Sequence, residues 1–209
     1  MKVLKFGGTS VGTVEGLLSL KSIVEQKTEN DSIIVVVSAF CGVTDALLNA
    51  VRKALVGDNG YKKDIQDIAS SHVEMTNRVI SNPLERASLK HEIDALCDEL
   101  SSICHGVCLV HDLSEKTENA IVSYGERLSS IIVAKMLGGA TLYDARTFII
   151  TERKNGKHVL DVGQTEKHVC NTLACAGRLS VVPGFISSDG RTGETTNLGR
   201  GGSDYTAAI

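Results

Sequence analysis

The sequence predicts an α/β fold in which a mainly parallel open sheet is sandwiched by helices, a three-layer αβα arrangement. Three observations predict it. Ile33 to Val37 is an unbroken β-branched run, the composition of a strand buried on both faces beneath helices. The apolar stretch Val3 to Phe6 stops at Gly7-Gly8 and gives way, after Thr9 and Ser10, to the amphipathic segment Val14 to Val24, which reads as strand, tight turn and helix. The alternation returns near the far end, where a helical pattern from Thr165 to Ala176 precedes a strand from Leu179 to Pro183.

Composition bounds what such a fold can do. At 209 residues and 42% hydrophobic, the chain can bury a core as one domain, or as one domain with a large insertion. A net charge of -3 and the lack of any long Lys/Arg run argue against a general nucleic-acid binder, and 4% aromatics without Trp argue against a base-stacking surface. No apolar run approaches a membrane span, and the N-terminus reads as a strand, not a secretory leader, so the expected location is the cytosol. Cys41, Cys97, Cys104, Cys108, Cys170 and Cys175 form no CxxC pair, and reduced thiols are expected. Cys104, Cys108 and His111, with His105 adjacent, fall at i, i+4 and i+7 of a helical stretch. That spacing matches no common zinc pattern, so core packing is the reading and no metal site is expected.

Taken in order, the first strand ends at Lys5-Phe6-Gly7-Gly8-Thr9-Ser10. Two glycines let the backbone approach a bulky anion, Thr9, Ser10 and the helix-start amides can donate to it, and the Lys5 ammonium can neutralise its charge. Spacing alone does not separate this phosphate cradle from an ordinary tight turn. The pattern is neither a Walker loop nor a dinucleotide fingerprint. Ile33 to Val37 exits into Ser38 to Asp45, at a strand's carboxyl end, where open α/β sheets bind ligands. Thr44 serves there either as cap of a helix beginning at Asp45 or as a hydroxyl offered to substrate; the cap is the simpler reading.

Residues 61–105 predict two long helices joined at Asn82-Pro83, an antiparallel hairpin inserted to support the substrate side or a partner, with His72 packed on its apolar seam. Ser123 to Ser130 opens a further helix. Glu126 near its start suits the macrodipole, or stands as a fixed carboxylate for a substrate ammonium with Gly125 giving access. Ala140 to Tyr143 reads as a strand with Asp144-Ala145-Arg146 at its exit, and Ile149 to Val162 as a β excursion turning at Asn155-Gly156. After Pro183-Gly184-Phe185-Ile186 and a turn at Asp189-Gly190, Leu198-Gly199-Arg200-Gly201-Gly202-Ser203-Asp204-Tyr205 opens the last helix. Gly201, Gly202 and Ser203 form a second anion-binding nest, with Arg200 as a bidentate fork and Asp204 able to hold a lysine; the plainer alternative is a Ser203-Asp204 cap beside a surface arginine.

The segments Lys5 to Ser10, Gly125-Glu126 and Gly199 to Tyr205, in this order and spanning essentially the whole chain, resemble the signature segments of aspartate kinases in the amino acid kinase superfamily. The opening Met1-Lys2-Val3-Leu4 and the helical insertion look most similar to aspartate kinases fused to homoserine dehydrogenase. The resemblance implies transfer of the ATP γ-phosphoryl group to the β-carboxylate of L-aspartate, with Mg2+, as the first step toward lysine, threonine and methionine. It implies that Lys5 and the Phe6-Gly7-Gly8-Thr9-Ser10 segment hold phosphate, that Arg200 grips substrate carboxylate, that Glu126 pairs the α-ammonium, that Thr44, Gly201, Gly202 and Ser203 contact substrate, and that Asp204 orients Lys5. It further implies a homo-oligomer. On this reading residues 1–209 are the amino-acid-binding part of a kinase domain, lacking the nucleotide-binding subdomain and regulatory domains, and inactive alone. Two alternatives stand: a family member acting on another small acid or a nucleotide, and a non-catalytic binding or assembly module using the hairpin.

Overall fold

The computed structural model describes residues 1–174 and 176–209. Cys175, and with it one residue of the helix expected over 165–176, lies outside the described residues. The chain runs β1 (Lys2–Phe6), a one-turn helix α1 (Gly8–Val11), α2 (Val14–Thr28), β2 (Ile33–Val37), α3 (Val43–Leu55), α4 (Tyr61–Val79), α5 (Pro83–Val110), α6 (Glu115–Val122) and α7 (Tyr124–Met136). There follow β3 (Thr141–Leu142), a 3-10 turn (Ala145–Thr147), β4 (Ile150–Lys154), β5 (Lys157–Leu160), α8 (Val162–Leu173), β6 (Leu179–Pro183), β7 (Ile186–Asp189), β8 (Thr195–Asn197) and α9 (Gly202–Ala208). No helix among the described residues is long and apolar enough to cross a membrane.

Two four-stranded sheets result. The first is parallel throughout, in the order β1-β2-β6-β3, and the second has the order β5-β4-β7-β8 with β4 and β7 parallel and its other pairs antiparallel. All of β2 is buried, and its alternate residues go to different cores. Ile33, Val35 and Val37 join Leu17, Leu47, Ile93 and Leu128 on the helical side, while Ile34 and Val36 join Phe148, Val182 and Ile186 on the other. That is why the strand carries no polar face: period-two alternation leads from one apolar layer to another.

The helical hairpin forms as the pattern predicts, with Asn82 accepting from the Leu84 amide as N-cap and Pro83 at the first helical position. Its second helix continues past 105 to Val110, where His111 adopts a left-handed cap. Ile65, Ile68, Leu89 and Leu100 are buried in the same core as β2, so the hairpin is a wall of the main core. His72 lies fully buried there. Cys104 is buried too, and burial pushes its thiol up to about 11.

Three local readings are corrected. The helix after β2 starts at Val43, capped by Gly42 at φ 80, and Thr44 makes no capping bond, because glycine supplies the left-handed turn that ends the loop. The expected helix at 165–176 begins at Val162, because Asp161 ends β5 and accepts from the Gln164 amide as N-cap. The strand expected at Ala140 to Tyr143 shrinks to two paired residues, since only Thr141 and Leu142 pair with β6. Asn155 and Gly156 both take positive φ, the backbone a two-residue hairpin requires.

Candidate active site

Register places the site. Phe6 pairs with Val37, and Val37 with Pro183, so three parallel strands end level and their loops leave from one edge of the sheet. The loops after β1, β2 and β6, with the turn before α9 and the first turn of α7, enclose a cleft of about 340 Å³. Lys5, Gly8, Thr44, Glu126, Arg200, Gly201, Gly202, Ser203 and Asp204 all line it, although they come from both ends and the middle of the chain. Phe6 packs into the core instead, and Gly7, Thr9 and Ser10 lie outside the lining. Gly7 still matters to the lysine: a β-carbon there would stand 3.3 Å from the Lys5 Nζ.

Lys5 Nζ and Asp204 Oδ1 are 2.8 Å apart. The Asp204 side chain is 71% exposed, so this pair adds little to stability, and its consequence is to fix where the ammonium sits. Asp204 gets there because α9 is capped by Gly201 in the left-handed conformation, and Ser203, buried behind it, makes no capping bond. The amides of Gly201 and Ser203 have no acceptor among the described residues, nor do those of Gly8 and Thr9 in the first turn of α1. Both turns thus present donors and partial positive charge. The Arg200 guanidinium is exposed and makes no ion pair among the described residues.

Glu126 is the opposite case. It sits in the first turn of α7, buried, with Oε1 accepting from the Ala39 amide at 3.2 Å and Oε2 buried without a partner. Burial pushes its carboxyl up to about 7, against the smaller opposing pull of the Ala39 amide and of its own. A helix start stabilises a carboxylate by about 0.3–1 kcal/mol at an exposed site, whereas a rise from 4.5 to about 7 corresponds to about 3 kcal/mol, so burial wins. Gly125 permits this closeness: a β-carbon there would lie 2.8 Å from that of Ala39. The Ser129 hydroxyl donates to the Ser38 carbonyl and ties α7 to the same loop.

Sequence reasoning did not assign a role to Phe40, Cys41, Asp45 or Phe185, which also line the cleft. The loop from Ser38 to Asp45 was marked by its place after a strand, but nothing in the pattern separates Phe40 from a core residue. Phe185 has φ 66, and the Ile186 amide donates to the Gly184 carbonyl at 2.6 Å, a tight turn in a backbone region that bulky residues rarely adopt. Among the described residues no group of three or more His, Cys, Asp or Glu is placed to hold a metal.

A strand-end cleft with a lysine, two amide turns, a buried carboxyl and a free guanidinium suits a small zwitterion meeting a phosphate. Residues 1–209 match the amino acid kinase family. This chain belongs to that family. Among relatives, the bifunctional aspartokinase/homoserine dehydrogenase of Buchnera aphidicola is 26% identical over 216 residues, covering 100% of this chain and 26% of that protein. Lysine-sensitive aspartokinase 3 of Escherichia coli is 29% identical over 216 residues, covering 99% of this chain and 45% of that protein. The structure of E. coli aspartokinase III in complex with aspartate and ADP superposes with a TM-score of 0.85 at 26% identity, covering 100% of this chain and 45% of that one. The chain thus spans less than half the length of these relatives.

Proposed function

We propose that this amino acid kinase chain is the amino-acid-binding part of an aspartokinase, which phosphorylates the β-carboxylate of L-aspartate from ATP to give 4-phospho-L-aspartate, the first step toward lysine, threonine and methionine. The observation that carries it is the convergence of Lys5, Glu126, Arg200 and Asp204 on one cleft of amino-acid size. The aspartate and ADP bound by the E. coli relative support the substrate pair. A substrate β-carboxylate oxygen attacks the γ-phosphorus as the bond to the bridging oxygen of ADP breaks. The acceptor is already ionised at neutral pH, so no general base is required. The difficulty is bringing two anions together. Lys5, oriented by Asp204, and the free amides that begin at Gly8 neutralise charge on the transferring group. Glu126 receives the α-ammonium, Arg200 a substrate carboxylate, and Thr44 with Gly201, Gly202 and Ser203 fixes the acceptor.

Mg2+ accompanies ATP on this reading. The described side chains do not fit a protein-held ion, since no acidic cluster is present and Asp204 is paired with Lys5. A Mg2+ carried on nucleotide phosphates keeps its own waters, and no step here runs through it. A cytosolic location and self-association of the whole protein belong to the same reading. The test is hydroxamate formation from ATP and a panel of small acids by the protein that contains this chain. L-Aspartate should be preferred, and Lys5→Ala should lower kcat by about 100-fold or more with the fold retained. Preference for another acid would replace the substrate assignment, and indifference to Lys5→Ala would favour a binding module.

A further inference from the structure

The hairpin reaches the cleft through one ring. His72 of α4 is fully buried and stacks on Phe40 with ring centroids 4.9 Å apart and planes 8° from parallel. Its Nδ1 lies 2.7 Å from the Ile68 carbonyl, which can only accept, so Nδ1 carries the proton and Nε2 is left bare, buried and unpartnered. That bond fixes the ring plane, and burial keeps the imidazole neutral. Phe40 lines the cleft, and its carbonyl accepts from the Val43 amide that starts α3. The preceding residue is Ala39, whose amide holds Glu126.

We propose that His72 is a positioning residue: its flat face, presented from α4, holds Phe40 and thereby sets the 38–42 loop and the Ala39–Glu126 hydrogen bond. The functional consequence rests on reading the cleft as the amino-acid site. Ile68, His72 and Phe40 then form a line of contact from the hairpin wall to the group that receives the substrate ammonium. A packing role alone would need only the volume of the ring. A positioning role needs its flat face.

Substitution separates the two. His72→Leu and His72→Phe both remove the nitrogens and fill the space, but only Phe keeps a face for Phe40. Amide hydrogen exchange in the protein that contains this chain is the readout, comparing Ala39 with Val35 in the centre of the parallel sheet, which reports global opening. In His72→Leu, exchange at Ala39 should rise about tenfold relative to Val35, and in His72→Phe it should stay within about threefold of the unsubstituted chain. Unchanged Ala39 exchange in the Leu variant, or equal acceleration in both, overturns the proposal. Titration with L-aspartate distinguishes the two levels of the claim. Weaker binding by the Leu variant alone, measured in the protein that contains this chain, supports both, whereas the expected exchange pattern in a whole protein that binds no aspartate supports the positioning role and removes the substrate assignment.

Discussion

Between about pH 4.5 and 7 the folded chain keeps a proton on Glu126 that the unfolded chain releases. The sign follows: a carboxyl raised by folding contributes no penalty below its unfolded value, and stability then falls as pH climbs toward the folded one. Across that window the loss is about 3 kcal/mol. Glu126→Gln keeps an oxygen for the Ala39 amide and carries no titrating charge, so it should flatten this dependence and be the more stable protein at pH 8, while binding L-aspartate at least about tenfold more weakly. Urea midpoints at pH 5 and pH 8 read the first effect, and parallel pH dependence in the two proteins would remove burial as the cause. Occupancy by an ammonium should pull the carboxyl back down, so binding should weaken as pH falls below 7. Lys5 and Arg200 stand out in sequence because they border glycine-rich turns at strand ends, and Glu126 because it follows Gly125 near a helix start. Phe40 and Phe185 do not, since an aromatic beside a cleft and one in a core leave the same trace. The roles of Thr44 and Ser203 were ambiguous because capping depends on the φ of the preceding glycine.

Helix α7 sets two local rules against each other at Gly125. In a helix interior alanine is favoured over glycine by about 1 kcal/mol, so propensity alone predicts that Gly125→Ala stabilises. The structure predicts the reverse, because the new β-carbon would lie 2.8 Å from that of Ala39 and force apart α7 and the loop that holds Glu126. Overpacking typically costs about 1–3 kcal/mol, so against the propensity gain of about 1 kcal/mol a net destabilisation of up to about 2 kcal/mol is expected, read as a lower thermal midpoint. A raised midpoint would show that the loop yields freely, and with it that Ala39 does not fix the carboxyl. The same contest explains which elements were readable. Asn82-Pro83, Asn155-Gly156 and the β2 run signal through neighbours in the chain, so sequence suffices. The start of α8 was missed because Val162 continues an apolar alternation while Asp161 caps the helix. Helix α6 was not singled out, although Ser114 accepts from the Thr117 amide at its start.

At the scale of the molecule, the cleft is assembled by β1 near the start of the chain, α7 in its middle and α9 near its end, tied across the opening by the Lys5–Asp204 pair, whose aspartate is exposed. A pair of that kind contributes at most about 1 kcal/mol, so α9, only seven residues long, depends on its contacts with β1, β2 and Phe185. A ligand gripping Arg200, Ser203 and Glu126 together would bridge these elements and bind only the folded chain. At a concentration of 100 times its dissociation constant it adds about 2.7 kcal/mol to stability. For a domain of this size that corresponds to a rise of about 5–10 °C in thermal midpoint. L-Aspartate should produce the shift. Succinate, which lacks the ammonium for Glu126, should produce little, and D-aspartate, which cannot present ammonium and both carboxylates to the same three groups, should produce less than the L form. The rise should be smaller at pH 6 than at pH 8, because protonated Glu126 offers the ammonium no charge. An equal shift with succinate would mean that the cleft recognises dicarboxylates through Arg200 and the two amide turns alone, leaving Glu126 outside recognition despite its place in the lining.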